Sequence, residues 1–158
     1  MTDQTLENLS PPRFDHSGPM RIAGLSQTYT GGDIAGIPAQ WQRFVPWLGA
    51  IPGQTGFTTY GLCTGSNESM DYVCGVEVSD ASVLPAELSE YRLPKRKYAV
   101  FTHSGHASAI GGTWNAIFTR WLPGSGMKMA RAPQYERYTE AFNPATGMGD
   151  VEIWIPIE

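Results

Sequence analysis

The sequence contains an internal repeat, and this repeat restricts the fold more than any other feature of the chain. Three short blocks recur in the same order, at offsets of 76, 74 and 75 residues. They are residues 22–25 with 98–101, 44–49 with 118–123, and 76–78 with 151–153. Self-similarity at a nearly constant offset indicates one supersecondary unit built twice. We therefore predict two copies of one unit, related by a pseudo-two-fold axis.

The second copy shows most clearly what the unit is. Residues 97–103 are aromatic and β-branched, which is typical of a strand, and residues 135–140 and 151–155 also read as strands, with a turn at 143–147. A helix follows the first strand from about Ser108 and ends at residues 123–126. Its apolar face has helical spacing and consists of Ile110, Trp114, Ile117, Phe118 and Trp121. The unit is therefore strand, helix, strand, strand.

The first copy follows the same plan with weaker signals. Residues 21–30, 57–62 and 72–78 read as strands, and the helix runs from about Pro38 toward Leu48. Pro46 lies inside this helix, where an interior proline costs about 3 kcal/mol, so we expect the helix to kink or tighten there.

The fold class predicted from the two copies is α+β. Duplicated βαββ units would form an antiparallel sheet with both helices on one face, and a cleft where the halves meet. Residues 1–18 match neither unit and are predicted as an N-terminal arm. Residues 19–158 form the single domain, with repeat halves at about 19–79 and 97–158 and residues 80–96 joining them.

Charge and composition exclude several classes of function. Eleven basic against fifteen acidic residues give a net charge of −4 without a basic run, so we expect no direct DNA binding. No apolar stretch is long enough to span a membrane, and the first residues lack the pattern of a signal peptide. A cytoplasmic protein is expected, in which Cys63 and Cys74, on either side of the hairpin turn, stay reduced thiols.

Glu136 is the most interesting carboxylate. Alternation along a strand places it on the same side as Tyr138, two residues on. A carboxylate in an aromatic cleft favours organic cations, because ring faces attract positive charge. The alternative is a solvent-facing carboxylate paired with Arg137 or a neighbouring strand, and spacing alone leaves both open.

Other candidate groups are weaker. Trp41 and Trp114 lie near the starts of the two helices and could line the cleft mouth. His103 and His106 lack the further ligands of a zinc site and are predicted to be structural. Ser104 lacks the motif of a nucleophile elbow, and there is no phosphate-binding or dinucleotide-binding glycine loop. We therefore expect no metal and no cofactor.

Three segments are specific when they are taken together, namely Trp121-Leu122-Pro123, Tyr135-Glu136-Arg137-Tyr138 and Glu152-Ile153-Trp154-Ile155-Pro156-Ile157. With these segments the sequence resembles the gyrase-inhibitor-like family, the effector-binding domain of AraC-type and MerR-type multidrug regulators. The resemblance spans roughly residues 20–158.

The resemblance implies the duplicated fold and a ligand cleft with Glu136 as the acidic residue at its floor. The implied ligand-binding residues are Glu136, Trp114, Trp154, Tyr138, Tyr60 and a first-helix aromatic, Trp41 or Phe44. Indoles at 114 and 154 replace the family's tyrosines, which makes the pocket more apolar. Regulators of this family carry a DNA-binding segment before this domain, whereas about 18 residues precede it here, so a stand-alone module is expected.

The predicted function is the binding of hydrophobic, cationic small molecules, as a drug-binding or effector-binding module. One alternative is a hydrolase of strained cyclopropane-bearing toxins that uses the buried acid. Another is a protein-binding role, with DNA gyrase or a separate DNA-binding protein as partner and a part in transcription regulation. Binding is favoured over catalysis, and no catalytic residue is assigned.

Overall fold

The computed structural model describes residues 9–65, 68–80 and 82–158. Its strands are β1 (Arg13–Ser17), β2 (Met20–Thr30), β3 (Gln54–Gly65), β4 (Ser69–Val78), β5 (Ser89–Leu93), β6 (Arg96–His103), β7 (Gln134–Asn143) and β8 (Met148–Pro156). Its helices are α1 (Ile37–Phe44), α2 (Ile110–Ala116) and α3 (Leu122–Ser125). All strand pairs are antiparallel and form one sheet in the order β1-β6-β8-β7-β3-β4-β2-β5. The predicted α+β class with an antiparallel sheet is confirmed.

The two repeat units have the same strand order. The first is β2-β4-β3 and the second is β6-β8-β7, and they meet at the β3–β7 pair. In this central ladder Tyr60 pairs with Arg137 and Leu62 with Tyr135, which places Gly61 opposite Glu136. Superposition of the two units on a pseudo-two-fold axis stays a prediction.

The ladders correct one detail of the repeat alignment. The first block equates Ile22 with Tyr98, and their ladder partners are Glu77 and Pro156. Glu77 therefore corresponds to Pro156, and not to Glu152 as the third block suggests. Short apolar blocks can be slipped by several residues without losing their similarity, whereas hydrogen-bonded registers cannot.

The sheet curls until its two ends meet. The chain passes from β1, at one end, to β2, near the other, through Gly18 and Pro19 alone, and from β5 to β6 through Pro94 and Lys95 alone. Two residues span only about 10 Å even when extended, so the ends must be close. A Cβ added to Gly18 would lie 2.6 Å from the Pro94 carbonyl oxygen, which confirms that the two connections touch.

Both helices pack on the outer face of this curled sheet. One outer cluster joins α1 to β2, β3 and β4, and the other joins α2 to β6 and β8. A third cluster lies inside the curl and contains residues from the seven strands β2 to β8. The expected apolar face of the second helix is confirmed, since Ile110, Trp114, Ile117, Phe118 and Trp121 all belong to the α2 cluster.

The two helices end differently. The chain tightens into a 3-10 turn at Val45–Trp47 after α1, as Pro46 predicted. We expected one continuous helix in the second unit, but α2 is followed by a π-helical turn at Ile117–Trp121 and then by α3. Gly126, with φ of 73°, ends this segment in the left-handed conformation.

Part of the predicted arm belongs to the sheet. β1 pairs with β6 over its whole length, while residues 1–8 lie outside the described residues. The predicted linker at 80–96 likewise contains a strand, β5, which pairs with β2.

Candidate functional site

Glu136 lies at the centre of the sheet, on the outer face between the two helices. Its side chain is buried, with 6% of its surface exposed. The Tyr72 and Tyr138 hydroxyls both donate to Oε1, at 2.9 Å each. The Trp114 indole Nε1 donates to Oε2 at 2.8 Å. The carboxylate is therefore held by three uncharged donors, which come from β4, β7 and α2.

Gly61 makes room for this arrangement. It faces Glu136 across the central ladder and has no side chain to fill the outer face. A Cβ at Gly61 would overlap the Tyr72 hydroxyl, and would lie 2.8 Å from Tyr72 Cζ and 3.0 Å from Glu136 Oε1. Real Cβ atoms do not approach other atoms so closely, so the glycine is what allows Tyr72 to reach the carboxylate.

Aromatic rings surround the carboxylate from both units. Trp41 of α1 packs edge-on to Tyr138 at 5.5 Å between centroids, and its Nε1 donates to the Tyr72 hydroxyl at 3.1 Å. The ring centroids of Phe142 and Tyr138 are 5.1 Å apart. Trp114 stacks on Phe118 at 5.9 Å. One negative group thus lies among rings that two helices and two strands supply.

The phenol and thiol groups near Glu136 have raised pKa values and stay protonated. Burial raises the pKa of Tyr72 and of Tyr138, and the negative charge of Glu136 raises both further. The same two causes raise the pKa of Cys63 and of Cys74. Neither phenol nor thiol is a ready nucleophile, because the anion is the reactive form. The arrangement supports binding better than covalent catalysis.

The structure brings together four of the residues that sequence and resemblance predicted as ligand-binding. Glu136, Trp114, Tyr138 and Trp41 share the outer face, which the hydrogen bonds above confirm for Glu136 and Tyr138. The solvent-facing alternative for Glu136 is wrong, since the carboxylate is buried and Arg137 pairs with Glu152 instead.

The other three predicted site residues lie elsewhere. Phe44, the last residue of α1, is fully buried, and its ring centroid lies 6.1 Å from that of Trp41. Tyr60 and Trp154 point into the curl, on the face opposite to Glu136. The register explains this placement, because Gly61 and Ile153 are the direct ladder partners of Glu136, and their neighbours Tyr60 and Trp154 project the other way.

Tyr72 and Phe142 were not predicted as site residues. Tyr72 alternates with Cys74 and Val76 and looks like an ordinary core position of β4. The available signal was Gly61, since a glycine inside a strand often marks a close approach by another group. Which side chain uses that space depends on the pairing of β3 with β4 and β7.

His103 has the structural role that we predicted. Its Nδ1 lies 2.6 Å from Thr113 Oγ1 and its Nε2 lies 3.0 Å from the His106 carbonyl oxygen, which ties β6 to the start of α2. Within the described ranges, no group of three histidine, cysteine or acidic side chains could hold a metal ion.

The two cysteines do not face each other. Cys63 pairs with Tyr72 in the ladder, and Cys74 pairs with Gly61. Both are free thiols in the structure. Their reduced state in the isolated protein stays a prediction.

Comparison with known proteins identifies the class. The chain belongs to the family of GyrI-like small molecule binding domains, whose model matches residues 10–158. It is 32% identical over 120 residues to the transcriptional regulator BrlR of Pseudomonas aeruginosa. The match covers 74% of this chain, which spans 44% of that relative's length.

Solved structures show the same fold. SAV2435 bound to tetraphenylphosphonium has a TM-score of 0.76 at 20% identity, with 94% of each chain covered. The C-terminal domain of EcmrR has a TM-score of 0.69 at 13% identity, covering 96% of this chain and 98% of that one. Across the described parts of this chain, no helix has the length and apolar character needed to cross a membrane.

Proposed function

We propose that the surface between the helices binds hydrophobic organic cations, with Glu136 as the negative group that selects them. The observation that carries this proposal is the composition of the Glu136 site. The carboxylate is buried among aromatic rings, and its three hydrogen-bond donors are all neutral. Among the described residues, no lysine or arginine forms an ion pair with it.

A cationic ligand would complete this site physically. A buried carboxylate loses hydration, which neutral hydrogen bonds compensate only in part. A hydrophobic cation supplies the missing charge, and ring faces contribute roughly 0.5–2 kcal/mol each to its binding. The cation would then bind through its charge, at the carboxylate, and through its apolar surface, on the rings. A neutral ligand of the same size would have only the second interaction.

The closed arrangement in this structure sets a condition on access. Trp114 donates to one carboxylate oxygen, and the two tyrosines occupy the other. A bulky cation therefore reaches Glu136 after the Trp114 indole has moved aside. Trp114 lies between Gly111-Gly112, which lower helix stability through backbone entropy, and the π-helical turn, which interrupts the regular helix.

The relatives support the same ligand class. The ligand of SAV2435, tetraphenylphosphonium, is a hydrophobic organic cation. BrlR is a transcriptional regulator, and EcmrR forms a complex with DNA. We propose that binding here serves effector recognition in the cytoplasm, acting through DNA gyrase or a separate DNA-binding protein, which affinity purification with and without ligand would test.

Calorimetry with a matched ligand pair tests the proposal. Tetraphenylphosphonium is the cation, and triphenylphosphine oxide is a neutral compound of similar shape. Glu136→Gln should weaken cation binding by about 1–3 kcal/mol, the range for a lost charged interaction, and spare the neutral compound. Trp114→Ala should weaken both, because it removes ring area.

Glu140→Gln is the matched control. Glu140 lies on the same strand but is exposed, so its loss should leave both ligands unaffected. Equal binding of tetraphenylphosphonium by the wild type and Glu136→Gln would contradict the proposal.

A further inference from the structure

A cavity of about 270 Å³ lies on the face of the sheet opposite to Glu136. Three aromatic residues, Tyr60, Tyr135 and Trp154, form its apolar wall, and Arg13 and Arg137 line it together with Asp15. A smaller cavity of about 150 Å³ shares Tyr60 and Arg137 with it. We call the larger space the interior cavity.

Two guanidinium groups, those of Arg13 and Arg137, and the Asp15 carboxylate line the interior cavity, and the Glu77 carboxylate lines the smaller cavity beside it. Glu152 binds both arginines, accepting from Arg13 Nη2 and from Arg137 Nη1 at 2.9 Å each. Its Oε1 also accepts from Trp154 Nε1 at 3.1 Å, so three donors hold this carboxylate in place. Asp15 is half exposed and lies 3.8 Å from Arg13 Nε, a weak solvated pair.

Arg137 is the group best placed to bind an anion here. A guanidinium carries five N–H donors in one plane. One bonds to Glu152, and Tyr60 lines the same cavity beside this group. The rest of this planar group can bind a carboxylate in the two-pronged geometry that arginine favours.

The walls set the size and shape of the ligand. Tyr135 and Trp154 stack at 5.6 Å with 15° between their planes, and Tyr60 packs edge-on to Tyr135 at 5.6 Å. Arg13 lies 5.6 Å above the Trp154 ring. The volume is just below the range of about 300–1,000 Å³ for drug-sized sites, so one ring fits but several do not.

We infer that the interior cavity is a second small-molecule site, specific for single-ring aromatic carboxylates, with Arg137 and Tyr60 binding the carboxylate. Its charge preference is the reverse of the preference at Glu136. A cation entering here would meet two guanidinium groups, and an anion on the outer face would meet a buried carboxylate. The two sites lie back to back on β7, where Glu136 and Arg137 are consecutive.

Nuclear magnetic resonance of the tryptophan indole N–H groups distinguishes the two faces. Benzoate is the probe and benzamide is its neutral counterpart, with indole signals assigned from Trp154→Phe and Trp114→Phe. Benzoate should shift the Trp154 indole signal and leave the Trp114 signal in place. Benzamide should bind at least tenfold more weakly, since it lacks the charge.

Substitutions locate the anion-binding group. Arg137→Gln should weaken benzoate binding roughly ten- to hundredfold, and Tyr60→Phe by a smaller factor. Tyr60→Phe removes only a hydroxyl and serves if Arg137→Gln does not fold. Arg131→Gln, the same change at an exposed loop position, should bind benzoate like the wild type. No benzoate shift at Trp154, a shift at Trp114 instead, equal binding of benzamide, or full affinity in both cavity variants would each overturn the inference.

Discussion

The two repeat units differ most where they meet. Across the central ladder the first unit places a glycine, Gly61, and the second places a carboxylate, Glu136. The first unit also supplies Tyr72, whose hydroxyl occupies the space that the glycine leaves, and Trp41, which donates to that hydroxyl. A duplicated frame thus carries one charged group instead of two. The difference teaches that the repeat builds the sheet, and that departures from the repeat build the site.

The helices show the same division of roles. Four residues before Phe44, α1 carries Gln40, and four residues before Phe118, α2 carries Trp114. Gln40 is 1% exposed, donates to the carbonyls of Leu25 and Tyr72, and accepts from the Tyr29 hydroxyl. Trp114 is half-buried, and its indole Nε1 donates to the Glu136 carboxylate. Through Gln40 the first helix is therefore fastened to the backbone of the sheet, whereas through Trp114 the second contacts the buried carboxylate of Glu136.

The largest expected effect on stability tests this contrast between Gln40 and Trp114. Gln40→Leu should lower the free energy of unfolding by about 3 kcal/mol, because it leaves three buried polar groups without partners. Trp114→Phe should cost about 1 kcal/mol, since Glu136 keeps two donors. Urea denaturation measures both. Gln42→Leu, at an exposed position of the same helix, is the control, and a loss from Trp114→Phe as large as that from Gln40→Leu would remove the contrast.

The next effect concerns the glycine opposite the carboxylate. Gly61→Ala should destabilise the fold by about 2 kcal/mol, as in other overpacked cores, and should weaken cation binding by displacing Tyr72. Gly56→Ala, in the same strand, meets nothing within 4 Å and should be neutral. Denaturation and calorimetry check the pair. An unaffected Gly61→Ala would mean that the space at Gly61 is not required.

A smaller effect separates the two phenols that bind Oε1, one from each unit. Tyr72→Phe should cost about 1.5 kcal/mol, because the hydroxyl is buried and also accepts from Trp41. Tyr138→Phe should cost about 1 kcal/mol, since Tyr138 is only half-buried and makes one bond. Thermal denaturation ranks the two variants, and the reverse order would show that the second unit holds the carboxylate more tightly.

The smallest effect is a dependence on pH. Burial raises the pKa of Glu152, but hydrogen bonds from Arg13, Trp154 and Arg137 outweigh it, so the pKa is lowered below 4.5. Hydrogen bonding to Arg21 lowers the pKa of the exposed Glu90 as well. A lowered pKa contributes stability above the unfolded value, and this stability is lost as pH falls from about 4.5 through the folded pKa.

The comparison of these two carboxylates predicts which substitution has the larger effect on stability at low pH. Glu152→Gln should reduce the acid-induced loss of stability more than Glu90→Gln, because the Glu90 carboxylate is more exposed to screening by water than the Glu152 carboxylate. Unfolding by urea at pH 7 and at pH 3.5 measures the difference for each variant. Equal responses would indicate that burial of Glu152 contributes nothing.

Much of the fold could be predicted from the sequence because its signals are local. Helical spacing identified the apolar face from Ile110 to Trp121, and Pro46 predicted the tightened end of α1. Strand alternation placed Glu136 and Tyr138 together, since side chains two apart share a face. Nothing local predicted the π-helical turn after Ala116, which replaces a simple continuation of α2.

The site depended on the tertiary structure for its other half. Gly61 and Tyr72 lie on the two strands of one hairpin, but Glu136 is 64 residues beyond Tyr72, and only the pairing of β3 with β7 brings it to them. The strand register also places Tyr60 and Trp154 on the face opposite to Glu136. A shift of one residue would have turned both toward Glu136. By itself the sequence determined the repeated elements, because these follow from spacing within a segment, whereas Glu136 was identified as the central acid by the family resemblance. The faces, the closing of the curl and the two back-to-back surfaces of β7 follow from contacts between distant segments, which only the folded chain determines.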